Sequence, residues 1–260
     1  MLKQFKEIMI SAGRLMTNVQ DAAVHRKEGH FNFVTDMDLK VQEYLRGQLL
    51  SLLPGSTLFA EEQENQQLSD QPTWVVDPID GTVNYMRGRR CSSVSVALLK
   101  NRKPQLAAVY DPYSGELFTA QAGAGCWCND MPVHVSDMPF ERALVTFGTS
   151  PYEPDLAKQG MQAAYALLLA AGDLRRSGSA AIDLAWVACG RSELFFEMML
   201  APWDYAAGAL LVQEAGGHIL QPLNDAFDFG QSACILASNP HCLDGALSII
   251  RQVANGQLEV

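Results

Sequence analysis

The sequence has no long hydrophobic run and little positive charge. Its longest apolar stretch, residues 161–171, is well short of the roughly 20 residues that cross a bilayer, so no membrane span is expected. The 260 residues include 19 lysines and arginines against 29 aspartates and glutamates, a net charge of −10. Because an acidic surface repels phosphate backbones and anionic lipid, neither nucleic acid nor a membrane is an expected partner.

Cysteine patterns typical of zinc or disulfide sites are also scarce. Of the six cysteines, only Cys126 and Cys128 are close neighbours, without a second pair or an adjacent histidine, which favours reduced thiols. The N-terminal stretch lacks the apolar core and small-residue cleavage site of a secretory signal, so we expect a cytoplasmic protein. The length and the 48% hydrophobic content predict a globular chain with a substantial core.

Apolar periodicity predicts an N-terminal half that mixes helices and strands. Helical spacing covers residues 5–19 and 39–53, and an exposed loop that includes Lys27 lies between them. Two short strands follow, at 57–60 and 74–76, and each runs into acidic residues. Within residues 92–135, short runs of strand-forming residues alternate with turn residues, which predicts an antiparallel meander.

The remaining chain predicts alternating helices and strands, as in a sheet covered by helices. The predicted strands are 143–147, 194–198 and 234–237, and the predicted helices are 155–171, 180–189, 204–215 and 241–253. We divide the chain into an N-terminal α+β half, 1–138, and a C-terminal α/β half, 139–260, and expect the halves to pack as one unit.

The motif Asp77-Pro-Ile-Asp-Gly-Thr82 concentrates chemically useful groups at a strand end. Two carboxylates three positions apart can hold one cation, whose preferred ligands are hard oxygens. Gly81 lets the backbone approach a ligand, and a helix that begins there offers its free amides to phosphate. A capped helix start is the alternative interpretation. An EF-hand is excluded, since acidic residues are missing at the third and fifth loop positions.

Two further acidic positions could join this cation site. Glu61 and Glu62 follow the strand 57–60, and a loop could return the next strand beside it. Asp204 begins a helix, where the helix dipole favours a carboxylate. Taken alone, a solvated turn explains the glutamates and N-capping explains Asp204.

Together these motifs resemble the inositol monophosphatase family of metal-dependent, lithium-sensitive phosphomonoesterases. The resemblance covers Asp77–Thr82, the Glu61-Glu62 pair, and Trp203-Asp-Tyr-Ala-Ala-Gly208 followed by Glu214-Ala-Gly-Gly217. It extends in family order to Phe33-Val-Thr35 with Asp38, to Arg176-Ser-Gly-Ser-Ala180 and to Glu197-Met198. The fold it implies is α/β (α+β), a layered α-β-α-β-α sandwich of the inositol monophosphatase and fructose-1,6-bisphosphatase type.

The resemblance also implies ligands for two or three Mg²⁺ ions per site. Glu61, Asp77 and the Ile79 carbonyl would bind one ion, and Asp77, Asp80 and Asp204 would bind a second. Glu61 would also face a third, weaker site. In the implied reaction an activated water attacks phosphorus in line, so no covalent phosphoenzyme forms.

Catalytic and substrate-binding roles follow from the same resemblance. Glu61, Thr82 and Asp38 are the implied catalytic residues, with Thr82 hydrogen-bonded to Asp38 and helping to deprotonate the attacking water. Asp38 is preferred to Asp36 because it has the family's Thr-x-x-Asp spacing after Thr35. The implied substrate-binding residues are Asp80, Gly81, Thr82, Ser179, Ala180, Glu197 and Asp204. Gly81 and Thr82 would hold the phosphate through their amides, and Lys27 would belong to a loop that closes over the metals.

The substrate class is the least constrained of these expectations. Thr82-Val-Asn-Tyr85 is closer to inositol phosphatases and archaeal-type fructose-1,6-bisphosphatases than to relatives that cleave 3′-phosphoadenosine phosphate or histidinol phosphate. An inositol monophosphate is our first choice, and other small polyol or sugar phosphates, fructose 1,6-bisphosphate included, remain alternatives. The resemblance implies a homodimer. A protein-interaction role with secondary phosphatase activity is the alternative from another class, and the intact acidic set argues against loss of catalysis.

Overall fold

The computed structural model describes residues 1–18, 24–26, 33–63, 67–151 and 153–258. Lys27, which the resemblance places in a loop that closes over the metals, lies outside these residues. The helices are α1 (Leu2–Thr17), α2 (Asp36–Leu52), α3 (Thr82–Met86), α4 (Pro154–Ala170), α5 (Ala180–Ala188), α6 (Pro202–Glu214) and α7 (Leu243–Ala254).

The strands form one two-stranded, one five-stranded and one seven-stranded sheet among the described residues. Those of the N-terminal half are β1 (Val24–Arg26), β2 (Phe33–Thr35), β3 (Thr57–Ala60), β4 (Thr73–Asp80), β5 (Ser93–Lys100), β6 (Lys103–Asp111), β7 (Glu116–Gln121), β8 (Cys126–Cys128) and β9 (Met131–Val133). Those of the C-terminal half are β10 (Leu144–Phe147), β11 (Asp173–Arg175), β12 (Leu194–Leu200), β13 (His218–Leu220) and β14 (Ala233–Ser238).

The seven-stranded sheet has its strands in sequence order from β3 to β9. Only β3 and β4 pair in parallel, and the remaining neighbours are antiparallel, as the predicted meander requires. Helices α1 and α2 cover one face of this sheet. Their apolar sides pack against β4, β5 and β6, for example where the Phe5 and Trp74 rings lie 5.4 Å apart.

Helices α5 and α6 lie between the two large sheets and bury side chains against both. Their shared core joins Val75 and Val109 of the first sheet to Phe195 and Ile235 of the second. The five-stranded sheet has the order β11-β10-β12-β14-β13, and its other face is covered by α4 and α7. The layers therefore run α-β-α-β-α, and the fold implied by the resemblance is confirmed.

Most predicted elements are present, and the differences are short segments. Neither β11 nor β13 was predicted, because each has only three residues and too few apolar positions to show a period of two. The division at residues 138 and 139 stays a prediction, although the core around α5 and α6 joins residues of both halves. No helix among the described residues is long and apolar enough to span a membrane.

Candidate active site

Three carboxylates from distant parts of the chain converge at one end of β4. Asp77 and Asp80 lie on β4 itself, where the pairing with β5 shifts its register between them. Asp204 comes from the first turn of α6, in the C-terminal half. One oxygen from each of the three carboxylates lies within 4.8 Å of the others, so a single cation can contact all three.

Hydrogen bonds from neighbouring groups hold each carboxylate in place. The Ile79 amide donates to Asp77 Oδ1 over 3.0 Å, and the Ala201 amide donates to Asp204 Oδ2 over 2.7 Å. Asp80 is held from α5, whose Ala181 amide donates to Oδ2 over 2.9 Å. These bonds orient the carboxylates but supply no positive charge.

Burial and mutual repulsion make this cluster unfavourable when all its members are ionised. Burial is the main cause that raises the pKa of Asp77 well above its ordinary value, and the charges of Glu61, Asp80 and Asp204 add to it. The pKa of Asp204 is raised by burial and then by Asp80 and Glu61. Burial raises the pKa of Asp80 as well, although hydrogen bonds from the Ser179 hydroxyl and from the first amides of α5 oppose the shift. A divalent cation relieves this repulsion, so the donor set fits Mg²⁺.

Glu61 and the Ile79 carbonyl, the other two predicted metal ligands, lie near the cluster. Both residues line the same cavity as the three aspartates. Glu61 directly follows β3, and its charge acts on both Asp77 and Asp204. The Ile79 carbonyl accepts a hydrogen bond of 3.1 Å from the Thr82 hydroxyl. The structure thus gathers every predicted ligand at one place, and their metal-binding roles stay predictions.

The structure brings Thr82 and Asp38 together. One Asp38 oxygen caps α2 by accepting hydrogen bonds from the amide and hydroxyl of Thr35. The other oxygen, Oδ1, accepts from the Thr82 hydroxyl over 3.4 Å. Asp38 therefore caps α2 and contacts Thr82 at the same time, because it uses a different oxygen for each.

Gly81 provides the sharp turn between β4 and α3. Its φ of 84° lies in the left-handed region, where a side chain is strained. A Cβ at this position would lie 3.0 Å from the Gly178 carbonyl oxygen and 3.1 Å from that of Cys91. No side chain caps α3, whose first turn lines the cavity that holds the acidic cluster.

The cavity above the cluster has a volume of about 840 Å³ and includes the predicted substrate-binding residues. Ser179 and Ala180 line it, but the Ser179 hydroxyl and the Ala180 amide both donate to Asp80. In this structure they position a carboxylate, and their contact with substrate stays a prediction. Glu197 lies on β12 at the same cavity, and burial raises its pKa to about 7 although the Ser150 amide donates to it over 2.8 Å.

Sequence reasoning missed several residues of this cavity. Ser150 binds Glu197 and has a φ of 40°, which nothing in its sequence context indicated. Asp183 is a buried carboxylate whose Oδ1 has no hydrogen-bond partner among the described residues. Met199 is 36% exposed and lines the cavity, whereas its neighbour Met198 is buried, because successive residues of a strand face opposite sides.

A family profile and several known proteins are similar in sequence to nearly the whole chain. The profile described as the inositol monophosphatase family matches residues 2–255. A Nus factor SuhB from Xylella fastidiosa is 37% identical over 230 residues, covering 84% of this chain and 82% of the relative. Inositol monophosphatase 3 from Solanum lycopersicum is 30% identical over 263 residues, covering 96% of this chain and 98% of the relative. The chain belongs to the inositol monophosphatase family.

Solved structures of the family superpose on nearly the whole chain. An inositol monophosphatase from Thermotoga maritima matches with a TM-score of 0.86 at 26% identity, covering 99% of both chains. An inositol monophosphatase/NADP phosphatase complexed with Mg²⁺ and phosphate matches with a TM-score of 0.81 at 26% identity, covering 95% of this chain and 91% of the other. The acidic cluster described here therefore lies within a fold that binds Mg²⁺ in a relative.

Proposed function

We propose that this chain is a Mg²⁺-dependent phosphomonoesterase of small polyol or sugar phosphates, with an inositol monophosphate as its first-choice substrate. The observation that carries the proposal is the convergence of Asp77, Asp80 and Asp204 beside the first turn of α3. Carboxylates offer hard oxygen ligands for the cation, and backbone amides at a helix start favour an anion. Metal and phosphate would thus be neighbours, as hydrolysis of a phosphomonoester requires.

The proposed mechanism assigns a task to each group. Asp77, Asp80, Asp204 and Glu61, with the Ile79 carbonyl, would hold Mg²⁺, which when bound stabilises phosphoryl charge and lowers the pKa of the attacking water. The Thr82 hydroxyl would accept the water's proton as it passes its own proton to the Asp38 carboxylate, where the proton would end. The amides of Gly81 and Thr82 would bind the phosphate.

The alcohol portion of the substrate would occupy the rest of the cavity. Glu197, which lies at that end on β12, can accept hydrogen bonds from substrate hydroxyls. Ser179 and the Ala180 amide connect this region to Asp80 and would contact substrate once it is bound. A polyol suits such a surface, because each hydroxyl can pair with a fixed polar group.

A second candidate function comes from the relatives named Nus factor SuhB. At 37% identity, the Xylella fastidiosa protein favours a role as a Nus factor, in which phosphatase activity would be secondary. We assign such a role to a protein surface outside the acidic cluster. Asp204→Asn should therefore abolish phosphatase activity and leave a Nus-factor role intact.

Phosphate release tests the proposal directly. The purified chain is supplied with inositol 1-phosphate, fructose 1,6-bisphosphate, histidinol phosphate and 3′-phosphoadenosine phosphate, with Mg²⁺, with EDTA and with Mg²⁺ plus Li⁺. We expect turnover that EDTA abolishes and Li⁺ inhibits, highest with inositol 1-phosphate. Absence of hydrolysis of all four esters at every Mg²⁺ concentration would contradict the proposal. Sedimentation of the same sample measures whether the predicted homodimer forms.

A further inference from the structure

Asp183 is a buried carboxylate in the first turn of α5, and the proposed mechanism gives it no task. Its side chain is 1% exposed, and its Oδ1 has no hydrogen-bond partner among the described residues. Burial raises the pKa of Asp183 well above its ordinary value, and the charges of Asp80 and Glu197 add to the shift. Because a buried polar atom without a partner costs free energy, stability does not explain a carboxyl at this position.

The other oxygen of Asp183 holds the turn that precedes α5. Oδ2 accepts a hydrogen bond of 2.7 Å from the Ser177 hydroxyl, whose oxygen accepts one of 3.0 Å from the Ser179 amide. The Asp183 amide also donates to the Ser179 carbonyl over 3.1 Å. Asp183 therefore fixes both backbone groups of Ser179, the carbonyl directly and the amide through Ser177.

A residue of the N-terminal half holds the same turn from the opposite side. The Asn84 side chain, which belongs to α3, donates to the Ser177 carbonyl over 2.9 Å. Gly178 has a φ of 87°, and a Cβ on it would lie 2.9 Å from Asn84 Nδ2. The turn thus lies between α3 and α5, and contacts on both sides hold the backbone that carries the Ser179 hydroxyl.

This turn and the start of α5 supply hydrogen bonds to Asp80, one of the three carboxylates of the acidic cluster. Asp80 Oδ2 accepts from the Ser179 hydroxyl and, over 2.9 Å, from the Ala181 amide. Asp80 Oδ1 accepts from the Ala180 amide over 3.3 Å. Because these three donors are consecutive in the chain, the direction of the Asp80 carboxylate depends on how the turn before α5 is held.

We propose that Asp183 is a positioning residue for Asp80, which through Ser177 and Ser179 sets the direction in which Asp80 presents its oxygens to a cation. This inference rests on the proposed function, in which Asp80 helps to hold Mg²⁺. Asp183 is not one of the three carboxylates that converge on one cation position, so it would act on the cation only through Asp80. Groups that orient a metal ligand by hydrogen bonding change metal affinity roughly 10- to 100-fold when they are removed.

The rise in melting temperature with Mg²⁺ concentration tests the inference, because it gives an apparent affinity without any substrate. Asp183→Ala removes the acceptor of the Ser177 hydroxyl and should weaken this affinity about tenfold. Asp183→Asn keeps a carbonyl oxygen for that hydroxyl and should bind Mg²⁺ as wild type does. Its amide nitrogen would occupy the position of Oδ1, where no partner is found among the described residues, so this variant should still melt at a lower temperature than wild type.

Two further variants separate the positioning role from a general loss of stability. Asn239→Ala removes a buried side chain that donates to the carbonyls of Ser136 and Met138, and should lower the melting temperature without changing the Mg²⁺ affinity. Ser177→Ala should weaken the affinity as Asp183→Ala does. Ser177→Ala/Asp183→Ala should weaken it no further than either change alone, because both break the same chain of contacts.

The outcomes distinguish this inference from the proposed function. Wild-type Mg²⁺ affinity in Asp183→Ala, or an equal loss in Asp183→Asn or Asn239→Ala, overturns the positioning role. If wild-type protein binds Mg²⁺ but hydrolyses no ester, the proposed function fails, and the affinities of the variants still test Asp183. If esters are hydrolysed and the affinities do not differ, the phosphatase proposal stands and the positioning role alone fails. A wild-type chain whose melting temperature does not respond to Mg²⁺ overturns both.

Discussion

The Thr82 hydroxyl donates a hydrogen bond to Asp38 across 44 residues of sequence. Asp38 can take part because its other oxygen already caps α2, which fixes the carboxylate relative to a helix of 17 residues. The same hydroxyl lies 3.1 Å from the Ile79 carbonyl oxygen. Thr82 is thus held between a predicted metal ligand and a buried carboxylate, as a proton acceptor for the attacking water would need to be.

Thr82→Ala should lower kcat about a hundredfold with little change in KM, because it removes the group that accepts the proton. Thr82→Ser keeps the hydroxyl and should recover most of the activity. Thr17→Ala serves as the control, since the Thr17 hydroxyl bonds only to carbonyls of its own helix. Steady-state kinetics at saturating Mg²⁺ measure all three, and wild-type turnover in Thr82→Ala would remove the residue from the mechanism.

Asp204→Asn should lower Mg²⁺-dependent turnover by at least about a hundredfold, because the cluster loses one of its charged ligands. Without Mg²⁺ the variant should melt at a higher temperature than wild type, since one of several mutually repelling charges is gone. The rise in melting temperature on adding Mg²⁺ should shrink in parallel. Asp130→Asn, whose side chain is 99% exposed, is the control. Undiminished turnover in Asp204→Asn would contradict the ligand assignment.

Glu197→Gln should change the pH dependence of stability. Burial raises the pKa of Glu197 to about 7, so the folded chain favours the protonated carboxyl and loses stability as the pH rises from about 4.5 to 7. Glutamine stays neutral, so the variant should gain stability relative to wild type over this range, by roughly 3 kcal/mol. Urea unfolding at pH 5 and pH 8 measures the difference, and an equal difference at both values would show that the carboxyl is ionised in the folded chain at both.

Gly81→Ala should cost more stability than Gly55→Ala. Both glycines have φ near 85°, so each substitution carries the left-handed strain of about 1–2 kcal/mol. Gly55 has nothing within 4 Å of an added Cβ, whereas at Gly81 two carbonyl oxygens lie about 3 Å away. The difference between the two free energies of unfolding therefore measures the close approach of Gly178 and Cys91. Equal losses would mean that the neighbouring backbone moves aside at little cost.

The sequence identifies those residues of the candidate site that lie close together in the chain. Asp77, Asp80 and Thr82 occur within six residues, and the order of the acidic motifs along the chain is enough to recognise the family. Contacts between distant segments could not be derived from spacing. The Ala180 amide donates to Asp80 from 100 residues away, and only the packing of α5 between the sheets explains why.

Elements of the fold and residues of the cavity that depend on contacts between distant segments could not be predicted from the sequence either. Helices with a clear apolar stripe, such as α1 and α7, were predicted because burial imposes a period on their sequences. The three-residue strands β11 and β13 depend on a neighbouring strand and have no period of their own. Nothing in the sequence singles out Arg87 and Arg89, because their place at the cavity depends on a loop that the Asn84 amide closes by donating to the Cys91 carbonyl.

The location of Asp204 gives the cluster a further property. Asp77 and Asp80 are made early in synthesis, whereas Asp204 and the α5 amides that hold Asp80 emerge from the ribosome much later. A growing chain, or one that a protease has cut between the halves and separated, possesses two of the carboxylates but not the third. Under the proposed function, capture of a cation by all three carboxylates would require both halves of the folded chain, and an incomplete chain would have no assembled site for hydrolysis.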